Sequence, residues 1–121
     1  MKYEFGGFSA EIDATDLAFT ERFEALAHAL SERLSGLGKD GKRSEIIRGV
    51  FQAHFEFFEQ LFGEGTADLL FGGAVNLRQC DAALLALAKV VQADDRRYAS
   101  EAQAGAAAIS GNRTPRRGKK K

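Results

Sequence analysis

Apolar positions recur along this chain with two different periods, and the change of period marks its elements. From Lys2 to Ile12 the order Tyr3, Phe5, Gly6-Gly7, Phe8, Ile12 reads as two short extended segments around a glycine pair. Gly-Gly supplies the positive φ angles of a two-residue hairpin turn, and Tyr, Phe and Ile suit a pleated surface. A lone hairpin is marginal in water, so it should lean on helices or on another subunit. From Asp13 onward the spacing becomes helical. Phe19, Phe23, Leu26, Leu30 and Leu34 recur every three or four residues, with Glu21, Glu24, His28 and Glu32 away from that stripe. The pattern predicts a helix beginning near Asp13, Thr15 or Asp16 and ending near Ser35, with one face buried and one wet. Three glycines between Gly36 and Gly41 then break it.

The second helix, predicted from about Ser44 to Phe62, is apolar over a far wider arc, roughly 200° at 100° per residue. Ile46, Ile47, Val50, Phe51, Ala53, His54, Phe55, Phe57, Phe58, Leu61 and Phe62 fill it. Such a helix is the centre of a fold, a docking face, or both. Gly63 to Thr66 ends it, a short helical turn from Ala67 to Phe71 follows, and Gly72-Gly73 closes that turn. Asn76 reads as the cap of a last long helix from Leu77 to Ala99 or beyond, with Leu77, Cys80, Leu84, Leu87, Val91 and Tyr98 on its inner stripe. After Glu101 the chain turns to Ala, Gly, Gln and Ser, then to basic residues, and reads as a mobile end. The expected fold is therefore mainly α: residues 1–101 form a small domain of three long helices and one short helix with an N-terminal β-hairpin, and residues 102–121 form a disordered basic tail.

Charge adds a division that the overall balance hides. The 17 basic and 17 acidic side chains cancel, yet residues 1–101 carry 11 basic against all 17 acidic groups, a balance of −6, while residues 102–121 carry six basic groups and no acid. An acidic body argues against a protein whose whole purpose is to coat nucleic acid, and the tail could meet nucleic acid, an acidic partner or an anionic surface. At 121 residues the chain is one domain. No apolar run approaches the ~18 residues a membrane span needs, and the first eight residues lack the long apolar region of a signal peptide, so a cytoplasmic protein is expected. A lone cysteine, Cys80, can form neither an intrachain disulfide nor a cysteine-based zinc cage.

Candidate chemistry is sparse. Gly36, Gly41 and Lys42 satisfy the glycine and lysine spacing of a phosphate-binding loop, but Arg43 stands where Ser or Thr should hold Mg²⁺, and the loop follows a helix instead of a strand. It reads as a turn between antiparallel helices. His54 and Cys80 lie on inner stripes and could meet as base and nucleophile, but a hydrogen-bonded core histidine and a small apolar thiol are the favoured reading. His28 lies on the wet face of its helix, and the two histidines lack metal-ligand spacing. Asp94-Asp95 and Glu56-Glu59 fall on solvated faces. No catalytic residue, cofactor or metal site is expected.

The remaining candidate is the ridge Phe51, Phe55, Phe58 and Phe62. Its flanking charges are mostly Glu, unlike base-stacking platforms, which interleave aromatics with Lys and Arg. Core packing explains the ridge; a groove that receives a partner helix is the functional alternative.

Several segments carry a resemblance. They are Ser44-Glu45-Ile46-Ile47, the run from Phe57 to Thr66, Phe71-Gly72-Gly73 with Asn76-Leu77 and Cys80, and Asn112-Arg113 followed by Arg116-Arg117. In these the chain resembles small proteins of tailed phages and prophages that are grouped with tail assembly chaperones. Members of that group often have Ala-Gln between the Asn-Arg and Arg-Arg pairs, where this chain has Thr114-Pro115. The resemblance implies a non-enzymatic protein of the bacterial host cytoplasm that keeps the helical tape measure protein soluble until tail tube subunits polymerise around it. On that reading Phe51, Phe55, Phe58 and Phe62 supply contact area, and Arg113, Arg116, Arg117, Lys119, Lys120 and Lys121 steer encounter with an acidic partner segment. Homo-oligomerisation could also cover the apolar arc. Two alternatives belong to other classes: a structural virion component of the tail or head-tail connector, and a small nucleic-acid-binding regulator that uses the basic tail.

Overall fold

The computed structural model describes residues 1–38 and 41–111. Its elements are β1 (Lys2–Phe5), β2 (Phe8–Glu11), α1 (Leu17–Ser35), α2 (Arg43–Phe62), α3 (Thr66–Phe71) and α4 (Leu77–Gly111). The fold is the mainly helical one expected, with an antiparallel hairpin at its N-terminus.

Strands β1 and β2 pair with Tyr3 opposite Ala10 and Phe5 opposite Phe8, leaving Gly6-Gly7 as a two-residue turn. Only Gly6 of the two has a positive φ, +58°, the pattern of a type II′ turn, whose twist matches that of the strands. The hairpin does lean on helices. The Gly7 N–H donates to the Leu69 carbonyl of α3 at 2.9 Å. Tyr3 projects from β1 into the core, where its ring stacks on Phe62 at 5.9 Å and its hydroxyl donates to the Ala83 carbonyl of α4 at 2.9 Å.

Caps form where the sequence supplies acceptors. Asp16 accepts from the Phe19 N–H at 2.9 Å and starts α1, and Asn76 accepts from the Gln79 N–H at 3.1 Å and starts α4. Two acidic groups assigned to solvated faces have structural roles instead. Glu59, in the last turn of α2, accepts from the Gly65 and Ala67 N–H groups at 2.9 and 2.7 Å, and so satisfies the otherwise orphaned amides at the start of α3. Asp94 is buried. Its carboxylate accepts from the Ala14 N–H at 2.8 Å and lies 3.4 Å from the Arg97 guanidinium, which fastens the β2–α1 connection to the middle of α4. Asp95 remains exposed. A charged pair in sequence hides this difference because adjacent helical positions lie 100° apart.

The core gathers around α2: Tyr3, Ile12, Ala53, Phe57, Phe58, Leu61, Leu70, Phe71, Cys80, Ala83 and Leu87 are buried together. Helix α4 extends ten residues past Glu101, to Gly111. Ala102, Ala104, Ala106, Ala107 and Ala108 account for this, since alanine loses no side-chain entropy in a helix and prolongs it without tertiary contacts. The basic positions Arg113, Arg116, Arg117, Lys119, Lys120 and Lys121 lie outside the described residues.

Candidate functional site: an open groove between α1 and α4

The phenylalanine ridge of α2 points inward. Phe58 is fully enclosed, with its ring against Phe57, Phe62 and Phe71, and cannot present contact area to a partner in the folded chain. Phe51 packs edge-on against Phe71 of α3 at 5.4 Å, and Phe55 tilts against Phe51. Phe62 is taken up by Tyr3 and Phe8 of the hairpin. Phe51, Phe55 and Phe62 are each only partly accessible, so the ridge assigned to partner contact is the packing surface for the hairpin and α3. The wide apolar arc of α2 is explained by the number of elements that rest on it.

The stripe of α1, in contrast, is incompletely covered. Leu30 is its single buried residue; Phe19, Phe23, Leu26, Ala27 and Leu34 are half-buried. Helix α1 lies against α2 through Leu26, Leu30 and Arg33, and Arg33 pairs with Glu56. Its N-terminal end is tied to α4 at Asp94, whereas Leu34 near its C-terminal end faces Asp81, so α1 and α4 run antiparallel on top of α2 with a cleft between them.

Two depressions form this cleft and meet at Leu34. One, of about 210 Å³, is lined by Phe23, Ala27, Leu30, Leu34, Phe57 and Leu84. The other, of about 420 Å³, is lined by Leu34, Leu37, Ile46, Val50 and His54, with Arg43 and Asp81 at its edge. From Phe23 to Leu37 the groove follows roughly 20 Å of α1, or about four turns of a docked helix at 1.5 Å per residue. Gly49 shapes its end, because a Cβ there would stand 3.1 Å from a Leu37 methyl group, so glycine lets Leu37 fold down onto α2.

A family profile described as a family of unknown function, DUF6673, matches residues 6–120. This chain belongs to DUF6673. No curated protein and no solved structure matches it. The matched stretch runs from the hairpin turn through every helix, so the groove lies wholly within the DUF6673 unit.

The other chemistry-bearing residues of this DUF6673 chain are not assembled into a reactive pair. The His54 ring is buried and its Nδ1 lies 2.9 Å from the Val50 carbonyl, which makes Nδ1 the N–H donor; Nε2 has no hydrogen-bond partner among the described residues and is therefore not engaged by the Cys80 thiol. Burial, and after it the charge of Asp81, pushes the Cys80 thiol up to about 11 from its ordinary 9.0. That is the opposite of an activated nucleophile. No group of three or more His, Cys, Asp and Glu side chains able to hold a metal ion is present among the described residues. The glycine-rich loop joins two helices; its Lys39 and Asp40 lie outside the described residues. Likewise no helix among the described residues is long and apolar enough to cross a membrane.

The buried thiol has a measurable consequence. Its folded pKa exceeds the unfolded one, so its contribution is fully present below pH 9 and is lost as pH rises toward 11. Burial raises the Tyr3 phenol as well, which adds to the loss above its ordinary 10.0. Urea midpoints should fall above pH 9, and Cys80→Ala should remove about 2 kcal/mol of the decline by pH 11. An identical decline in the variant would show that the thiol is not held neutral by burial.

Proposed function

We propose that this DUF6673 chain is a non-enzymatic binding protein that shelters an amphipathic helix of a partner in the groove between α1 and α4. The partner, on this reading, is the tape measure protein of a tailed phage, kept soluble in the bacterial cytoplasm until the tail tube polymerises around it. One observation carries the proposal: a 19-residue helix with an apolar face of Phe19, Phe23, Ala27 and Leu34 buries only Leu30 completely. A helix stabilises itself in a small domain by covering such a face, and a face left half-open beside a groove four turns long fits one further helix. A tape measure protein, long and helical with apolar stripes, offers many such segments. The resemblance of the chain to tail assembly chaperones supports the same conclusion from a separate direction.

Co-expression tests it. Together with a tape measure protein, this chain should give a soluble complex on size exclusion, while the partner alone is insoluble. If the partner stays insoluble and this chain elutes unchanged, the chaperone reading fails; recovery of the chain in purified virions would then favour a structural component.

A further inference from the structure

We propose that two copies of this chain pair antiparallel through the projecting end of α4, along Tyr98, Ala102, Gly105 and Ile109. The pairing is independent of the groove, which α4 borders at Asp81 and Leu84. Helix α4 outruns the body that it covers. On its inner face Cys80, Ala83, Leu87 and Asp94 are buried, yet from Asp95 to Ile109 every residue is exposed. The inner face itself does not stop at Asp94. At 100° per residue, Tyr98, Ala102, Gly105 and Ile109 fall with those four buried residues in one arc of about 100°. Tyr98 and Ile109 are large apolar side chains left in water, and the steps of four, three and four between them are those of a seam between two helices. Gly105 is a second sign. Glycine is the least favourable helix residue after proline, and among the described residues nothing stands within 4 Å of its Cβ position, so no contact inside one copy calls for it. A second helix does. Antiparallel pairing that sets Tyr98 against Ile109 of the other copy also sets Ala102 against Gly105. Two small residues at the centre then let the backbones approach, while the large residues close both ends of a self-complementary patch.

Charge selects both the second copy and its direction. In the antiparallel register Gly111 of one copy comes level with Arg96 of the other, beside a depression of about 390 Å³ between the root of the projecting helix and the β2–α1 connection. Four carboxylates line that depression, those of Glu11, Asp13, Asp94 and Glu101, against two cations, the Met1 amino group and Arg97. The ten residues after Gly111 carry six basic side chains and no acid. Each copy therefore brings its basic end to the acidic root of the other, whereas a parallel pair would set the two basic ends side by side. The arginines of the root do not oppose this. Arg97 is already paired with Asp94 and Glu101 of its own copy, and Arg96 lies about 160° around the helix from Tyr98, away from the seam.

Sedimentation of the full chain tests the pairing. At about 100 μM it should run near twice its 13.1 kDa mass and should dissociate on dilution, because about three turns per helix make a small interface. Ile109→Glu should weaken the dimer at least tenfold. Gly105→Gln should do the same while far-UV circular dichroism shows no loss of helix, since glutamine is the better helix former. That combination separates a close approach at Gly105 from a mere change in helix stability. Direction is read by disulfide trapping, in which the buried Cys80 does not compete. Tyr98→Cys mixed with Ile109→Cys should crosslink between copies, and Ile109→Cys alone should not. A monomer at about 100 μM would overturn the proposal, as would a dimer that survives both Ile109→Glu and Gly105→Gln. Efficient crosslinking of Ile109→Cys to itself would show a parallel pair and overturn the direction.

Discussion

Phe58→Ala should destabilise the protein by about 3–5 kcal/mol, close to the whole stability of many small domains. The ring is fully enclosed and touches Phe57, Phe62 and Phe71, so its removal leaves a cavity at the junction of α2, α3 and the hairpin. Those neighbours are pinned by other contacts, Phe62 by Tyr3 and Phe71 by Phe51, and cannot collapse into the space. Phe23→Ala on α1 should cost about 1–2 kcal/mol, because that ring is already half in water and loses less burial. Urea unfolding of both variants measures the difference. A Phe58→Ala change milder than Phe23→Ala would reverse the assignment of core and contact surface.

Gly6→Ala should cost about 3 kcal/mol, through two effects that a second glycine separates. At φ +58° an L-residue costs about 1–2 kcal/mol more than glycine, and a Cβ would also meet the Leu70 carbonyl oxygen at 2.5 Å and that of Leu69 at 3.0 Å. Those atoms are α3 backbone, so the hairpin must lift away. The Gly7 to Leu69 hydrogen bond and the seat of Phe8 on Phe62 go with it. Gly72 has the matching positive φ, +59°, but nothing stands within 4 Å of its Cβ position. Gly72→Ala should therefore show the backbone cost without the collision. Equal losses at the two sites, by thermal or urea unfolding, would mean that the hairpin is not docked through its turn.

The elements were legible because apolar spacing, caps and glycines all point the same way for each. Asp16 and Asn76 cap the helices they precede, Gly6-Gly7 turns the hairpin, and Gly36, Gly63 and Gly72 follow the ends of α1, α2 and α3. Periodicity states that a face is apolar; it does not state what lies on it. From sequence the ridge Phe51, Phe55, Phe58 and Phe62 reads as core packing with a partner groove as the alternative, and periodicity alone does not choose between them. The ridge of α2 is covered by α3 and by a hairpin whose Tyr3 and Phe8 arrive from the far end of the chain, and among the described residues no further element closes the stripe of α1. Asp94 shows the same limit for charge, since its partner Ala14 is distant in sequence and no local rule marks the bond. How far α4 runs beyond Ala99 was left open for another reason: the run of alanines before Gly111 looks like a low-complexity end, yet is the composition that continues a helix at least cost.

The measurement closest to the central claim is partner capture by variants that charge one face at a time. Phe23→Glu with Leu34→Glu places two carboxylates in the groove, while Leu69→Glu places one on the exposed surface of α3, away from it. Each variant is co-expressed with the tape measure protein, checked for a cooperative melt, and assayed for soluble complex. The groove variant should lose the complex and the α3 variant should keep it. Retention of the complex by a folded groove variant would contradict the assignment of the α1–α4 groove as the binding surface.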